Sequence, residues 1–199
     1  MDDYEKILVE ETFMGDRELP ATVLRLPMVY GERDVQHRLF LELKRMDDGR
    51  PVIILEEGVS RWCSTRGYVE NVAAAITLAV IDERAAGRIY NVGERDALSY
   101  AEWVRAIGRA ASWEGKVVIV PNGRLPAKLR PPTGNYDQHL IANTSRIHEE
   151  LGCKDAIPRD EALRRTVAWE RTYQPEGNPK LFDYEAEDAV LAQLRREGI

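Results

Sequence analysis

Apolar residues along this chain fall alternately at helical spacing and into short β-branched runs, so the pattern predicts helices alternating with buried strands. From Asp2 to about Met14, Ile7 and Leu8 sit among Glu10 and Glu11 with no internal proline or glycine, and Gly15 closes this first predicted helix. LPATVLRLPMVY, Leu19 to Tyr30, is apolar without clean alternation, as in a strand covered on both faces of a parallel sheet; Gly31 ends it. Leu39, Phe40 and Leu43 predict a helix from about Gln36 to Met46, and DDGR at 47 to 50 turns the chain into the strand PVIIL, followed by a loop through Trp62. The alanine-rich run Val69 to Ile81 is helical in pattern, and Gly87 precedes the short buried strand RIYNVG.

Ser99 with Glu102 three residues later forms a capping box that opens a helix with Trp103 and Ile107 on one face. VVIVP at 117 to 121 reads as a strand, and residues 122 to 137 as a long loop of the kind that often lines sites. Thr144 or Ser145 caps a short helix ending at Gly152, and Pro158 with Asp160 opens an amphipathic helix through Leu163, Val167 and Trp169. Beyond Gln174 the chain carries PEGNP, then a run from 182 to 197 that suits an acidic peripheral helix packed through Phe182, Val190 and Leu194.

Composition narrows the function classes. The 199 residues are 44% hydrophobic, enough for one core with a small lobe beside it. No stretch approaches the roughly 18 apolar residues of a membrane span, and the acidic start is unlike a leader, so a soluble, cytoplasmic protein is expected. The net charge of -6, with arginines scattered, argues against nucleic acid as a partner. Cys63 and Cys153 have no metal-ligand spacing and no disulfide framework around them.

Four blocks, in order, carry a resemblance: RLPMVYGERD at 25 to 34, RGYVENVAAAI at 66 to 76, GRIYNVGERDALSYAEW at 87 to 103 and NTSRIHEELGCKDAIPRDEALRRTVAWER at 143 to 171. Together they resemble the later half of extended short-chain dehydrogenases/reductases of the NAD-dependent epimerase/dehydratase type, over roughly residues 4 to 171. The resemblance implies an α/β chain: the last parallel strands and helices of a Rossmann-like fold, with Leu19 to Pro27 and Arg88 to Gly93 as parallel strands, plus a small substrate-binding lobe. The reading divides the chain into 1–173, the substrate-binding region, and 174–199, a tail. No glycine-rich turn between strand and helix occurs in the 199 residues, so the half that would cradle the pyrophosphate of NAD or NADP is missing from them. The chain therefore starts where the family's catalytic helix does, as a natural partial gene, a truncation or a subunit needing another chain.

The resemblance also assigns candidate residues. The family's proton-transfer pair is Tyr-x-x-x-Lys on one helix face. Here Lys6 has Asp2 four residues before it, and Tyr4 stands two away, about 200° round a helix, so the candidate catalytic pair Tyr4 and Lys6 is broken as written. Lys6 is either a retained nicotinamide-ribose ligand or a solvated charge. Pro27, Met28 and Val29 inherit the cofactor-facing position, and Tyr30 and Gly31 the substrate-facing one; packing and turn formation are the competing roles. Arg66 occupies the place of an arginine that holds a phosphate in nucleotide-sugar members, with an ion pair to Glu70 as the alternative. His37 either lines the same pocket as an acid or base or lies on the surface.

Two functions follow. One is the substrate side of an NAD(P)-dependent epimerase, dehydratase or reductase of a nucleotide sugar or other phosphorylated small molecule, not competent alone. The other is a non-catalytic remnant acting as an oligomeric binding protein. Either way the first helix and the outer edge of Leu19 to Pro27 are left apolar, and a partner is expected to bury them, most simply a second copy in a dimer, or else the missing amino-terminal half.

Overall fold

The computed structural model describes residues 5–16, 18–131, 134–176 and 181–197. In chain order the elements are α1 (Lys6–Gly15), β1 (Val23–Arg25), β2 (Met28–Tyr30), α2 (Phe40–Asp47), β3 (Val52–Glu56), α3 (Glu57–Arg61), β4 (Arg66–Tyr68), α4 (Val69–Ile81), β5 (Ile89–Asn91), α5 (Tyr100–Ala110), β6 (Lys116–Val120), α6 (Ser145–Leu151), α7 (Arg159–Thr172) and α8 (Tyr184–Glu197). They form an α/β structure in which strands pair in parallel: β1 with β5, β2 with β4 and β3 with β6. Among the described residues no helix is long and apolar enough to cross a membrane.

The chain folds as two compact units, each assembled from three separate stretches. The first comprises the chain up to Tyr30, Thr65–Ala97 and Ile141–Pro158. Its core gathers Val72, Ala75 and Ala79 of α4, Tyr90 and Val92 around β5, and Ile147 and Leu151 of α6. The alanines let α4 lie close to the strands. The run Leu19 to Tyr30, predicted as one strand, is divided at Pro27, which has no N–H for a ladder, so β1 and β2 pair with different partners. In β1 with β5, Val23 sits beside Ile89 and Arg25 beside Asn91; in β2 with β4, Met28 sits beside Arg66 and Tyr30 beside Tyr68. Gly152 ends α6 in the left-handed conformation, as its position predicts. α1 buries none of its residues: Ile7, Leu8 and Phe13 are 64%, 59% and 48% exposed.

The second unit comprises Gly31–Ser64, Leu98–Leu140 and the chain from Arg159 on. Its β3–β6 pair is the longest, five residues in register from Val52 beside Lys116 to Glu56 beside Val120. The Ser99 capping box opens α5, which buries Trp103 and Ile107, and α7 buries Leu163 and Val167. Leu194 of α8 joins Val120 and Leu125, with Val190 packed against them. Phe182, just before α8, meets Phe40 edge-on at 5.8 Å. Two local expectations shift. The helix predicted from Gln36 starts at Phe40, because the Asp34 carboxylate accepts from the amides of Gln36 and Arg38 and holds His37 at φ +46°. The loop predicted to run to Trp62 contains α3, five residues long and too short to show a helical period.

Candidate functional site

In the first unit the segment Pro27–Val29 is held by close backbone approach. A Cβ at Gly67 would lie 2.9 Å from Pro27 Cγ, and one at Gly93 only 2.5 Å from Thr65 Cγ2; Gly93 also has φ +149°. These glycines let β2, β4 and the chain after β5 come together. Pro27, Met28 and Val29 are half-buried there. Arg66, the Cα partner of Met28, is 7% exposed, and its carbonyl accepts from the amide of Glu94 at 2.8 Å.

Tyr30 is buried, and its hydroxyl donates to Glu94 Oε1 at 2.7 Å, while its ring lies 5.8 Å from that of Tyr68. Tyr68 in turn donates to Glu70 at 2.9 Å, so Glu70, the ion-pair alternative for Arg66, accepts from a phenol. Glu94, itself buried, is a member of this cluster that sequence reasoning missed. Its one visible signal is the acidic residue following the glycine of YNVGE, and its partner lies 64 residues earlier. Tyr4 lies outside the described residues. Lys6 is exposed at the start of α1.

In the second unit, Gly31 is buried at φ +136°, a turn that favours glycine. His37 Nδ1 lies 2.8 Å from Glu170 Oε2, and its ring stacks on Trp169 at 5.3 Å. Burial pushes the Glu170 carboxyl above its ordinary range, against the lowering effect of His37. Tyr30 and Arg66 thus fall in one unit, Gly31 and His37 in the other.

The long loop after β6 also lines a groove, of about 330 Å3, with Glu56, Asn122, Arg130, Tyr136 and Asp137. Asn122 Oδ1 accepts from the amide of Gly58, and Glu56 from that of Gly123, which ties the loop to the end of β3. None of these residues was singled out from the sequence, beyond the expectation that the loop lines a site.

A dinucleotide would need a helix start free to receive a diphosphate. Of the helices that follow strands in this chain, α2, α3, α4 and α5 carry Glu42, Glu57, Glu70 and Glu102 in their first turns, where a carboxylate repels that group, while α6, seven residues long, carries none. Four of these five helix starts therefore disfavour a diphosphate.

Residues 6–93 match the sequence profile of the NAD dependent epimerase/dehydratase family. This segment belongs to that family. Among curated relatives, a dTDP-glucose 4,6-dehydratase of Streptomyces griseus is 29% identical over 157 residues, covering 76% of this chain and 43% of that protein. A UDP-N-acetyl-alpha-D-glucosaminuronate decarboxylase of Bacillus cytotoxicus is 25% identical over 160 residues, 77% of this chain and 47% of its own length. The chain thus spans about half the length of the curated relatives it matches. Solved structures of the family share its fold. The UDP-glucose 4-epimerase of Thermotoga maritima, determined with UDP-glucose, superposes with a TM-score of 0.62 at 22% identity, over 83% of this chain and 50% of that one. The dTDP-glucose 4,6-dehydratase of Bacillus anthracis, in complex with NAD, gives 0.63 at 18% identity, over 87% and 52%.

Proposed function

We propose that this chain forms the substrate side of an NAD(P)-dependent epimerase, dehydratase or reductase acting on a nucleotide sugar, and that it does not catalyse hydride transfer by itself. The observation that carries the reading is the register of β2 with β4, which sets Arg66 beside Met28. The phosphate-holding arginine thereby adjoins the segment assigned to the cofactor and substrate, on a backbone locked by Gly67 and Gly93. A guanidinium in such a fixed setting suits bidentate contact with a diphosphate. In this reading Tyr30 acts through Glu94 to position the segment, and Lys6 is a solvated charge.

Calorimetric titration with UDP tests it. Arg66→Lys keeps the charge but loses the planar fork, and is expected to weaken UDP binding about tenfold at a temperature where circular dichroism shows the variant folded; unchanged affinity removes Arg66 from the site. A ligand at a hundred times its dissociation constant adds about 2.7 kcal/mol of stability. Neither NAD nor NADP is expected to raise the melting temperature of this chain alone.

The exposed apolar face of α1 favours a second reading, an oligomeric, non-catalytic binding protein in which a second copy, or an amino-terminal half supplied separately, covers Ile7, Leu8 and Phe13. Light scattering that reports a monomer at micromolar concentration removes the second copy from consideration.

A further inference from the structure

The loop from Gly31 to Arg38 and the later turns of α7 enclose an open groove of about 810 Å3, a volume suited to a small molecule. His37, Trp169 and Tyr173 form an aromatic row along it: His37 on Trp169 at 5.3 Å and 18°, then Trp169 against Tyr173 at 5.7 Å and 32°. Tyr173, at the end of the row, is 61% exposed. Rings arranged this way offer planar, weakly hydrated surface to another ring.

The polar groups of the groove are specific in number and state. Arg165 is hydrogen-bonded to Glu161 at 2.9 Å, whereas Arg33 makes no ion pair among the described residues. Glu32 lines the same groove and repels a dianion, so one carboxylate suits Arg33 better than a phosphate does. In the tautomer whose Nδ1–H donates to the buried Glu170 carboxylate, the neutral His37 ring presents Nε2 as an acceptor. Glu170 is 1% exposed and accepts from the backbone of Leu39 as well as meeting His37, which holds the imidazole in one orientation. Arg33 and His37 both adopt left-handed backbone, φ +65° and +46°, and the Asp34 carboxylate holds the turn around His37 through the amides of Gln36 and Arg38; strain of this kind gathers at sites.

The geometry points to a binding site for a hydroxylated aromatic monocarboxylate, its carboxylate on Arg33, its ring against Trp169 and Tyr173, and its hydroxyl donating to His37 Nε2. The site is independent of the role assigned to Arg66, which lies in the other unit.

The probe is 6-hydroxy-2-naphthoate, titrated by calorimetry against the full chain, with 2-naphthoate, 2-naphthol and UMP as comparators. Arg33→Asn keeps a residue that tolerates the left-handed backbone, and Tyr173→Ala alters an exposed side chain; circular dichroism and melting establish that both fold as the parent does. Saturable binding is expected, about tenfold weaker in Arg33→Asn and about fivefold weaker in Tyr173→Ala. 2-Naphthoate should bind less tightly than the hydroxylated probe, and the affinity for 2-naphthol should be the same in Arg33→Asn as in the parent. No saturation up to about 5 mM, equal affinity of the parent and both variants, or tighter binding of UMP than of the probe would overturn the assignment.

Discussion

The hydroxyl of Tyr30 donates to the carboxylate of Glu94 at 2.7 Å, joining the end of β2 to the chain that leaves β5 within the first unit. Both side chains are buried, so removing one partner deprives the other of this bond in a site that water reaches poorly. Tyr30→Phe is expected to cost about 1–3 kcal/mol in urea unfolding. In the double variant with Glu94→Gln the two losses should fall short of additive, as for residues in contact.

Gly93 is expected to be intolerant of any side chain. Gly93→Ala combines a positive φ with a contact of 2.5 Å to Thr65 Cγ2, and should lower stability by about 1–3 kcal/mol or more. Thr65→Ser removes that methyl while keeping the hydroxyl that accepts from the amide of Ala142 at 2.8 Å. Adding it should restore part of the melting temperature; no recovery would place the strain in the backbone alone.

Glu170 makes stability depend on pH. Its folded pKa is raised, so the native state binds a proton more readily than the unfolded chain. The corresponding stability is fully present below the ordinary carboxylate value of about 4.5 and is lost as pH rises through the folded value. Urea midpoints of the parent and of Glu170→Gln, measured from pH 4 upward, should therefore converge at the acid end. The parent should lose ground relative to the variant as pH rises.

Ser99 accepts from the amide of Glu102, whose carboxylate returns to the amide of Ser99 at 2.8 Å. Ser99→Ala should cost about 1 kcal/mol. A loss below a few tenths, read from the urea midpoint, would mean that water replaces the cap.

On α1, Leu8→Glu alters a side chain that is 59% exposed, so the melting temperature of a monomer should shift little. If a second copy covers this face, sedimentation should show the variant dissociating where the parent remains assembled.

What the sequence made legible was local. The bounds of α4, Val69–Ile81, follow from its apolar spacing, and the Ser99–Glu102 capping box from two residues three apart. The parallel pairing of β1 with β5 was also accessible, because both runs are largely apolar and the resemblance made both parallel strands of the fold. The rest depended on distance along the chain. Glu94 finds Tyr30 across 64 residues and Glu170 finds His37 across 133, and neither partner is marked by the residues beside the glutamate. The delayed start of α2 turns on whether the Asp34 carboxylate captures nearby amides, a competition that apolar spacing does not register.

The alternation of the chain between its two units also bears on how the polypeptide reaches this state. It crosses after Tyr30, Ser64, Ala97, Leu140 and Pro158, so neither unit is a continuous stretch. A nascent chain leaving the ribosome cannot close the first unit until α6 has emerged, nor the second until α7 and α8 have followed. Early strands such as β1 and β2 must wait for partners made later, which favours slow, post-translational folding and a need for shielding from aggregation in the interval.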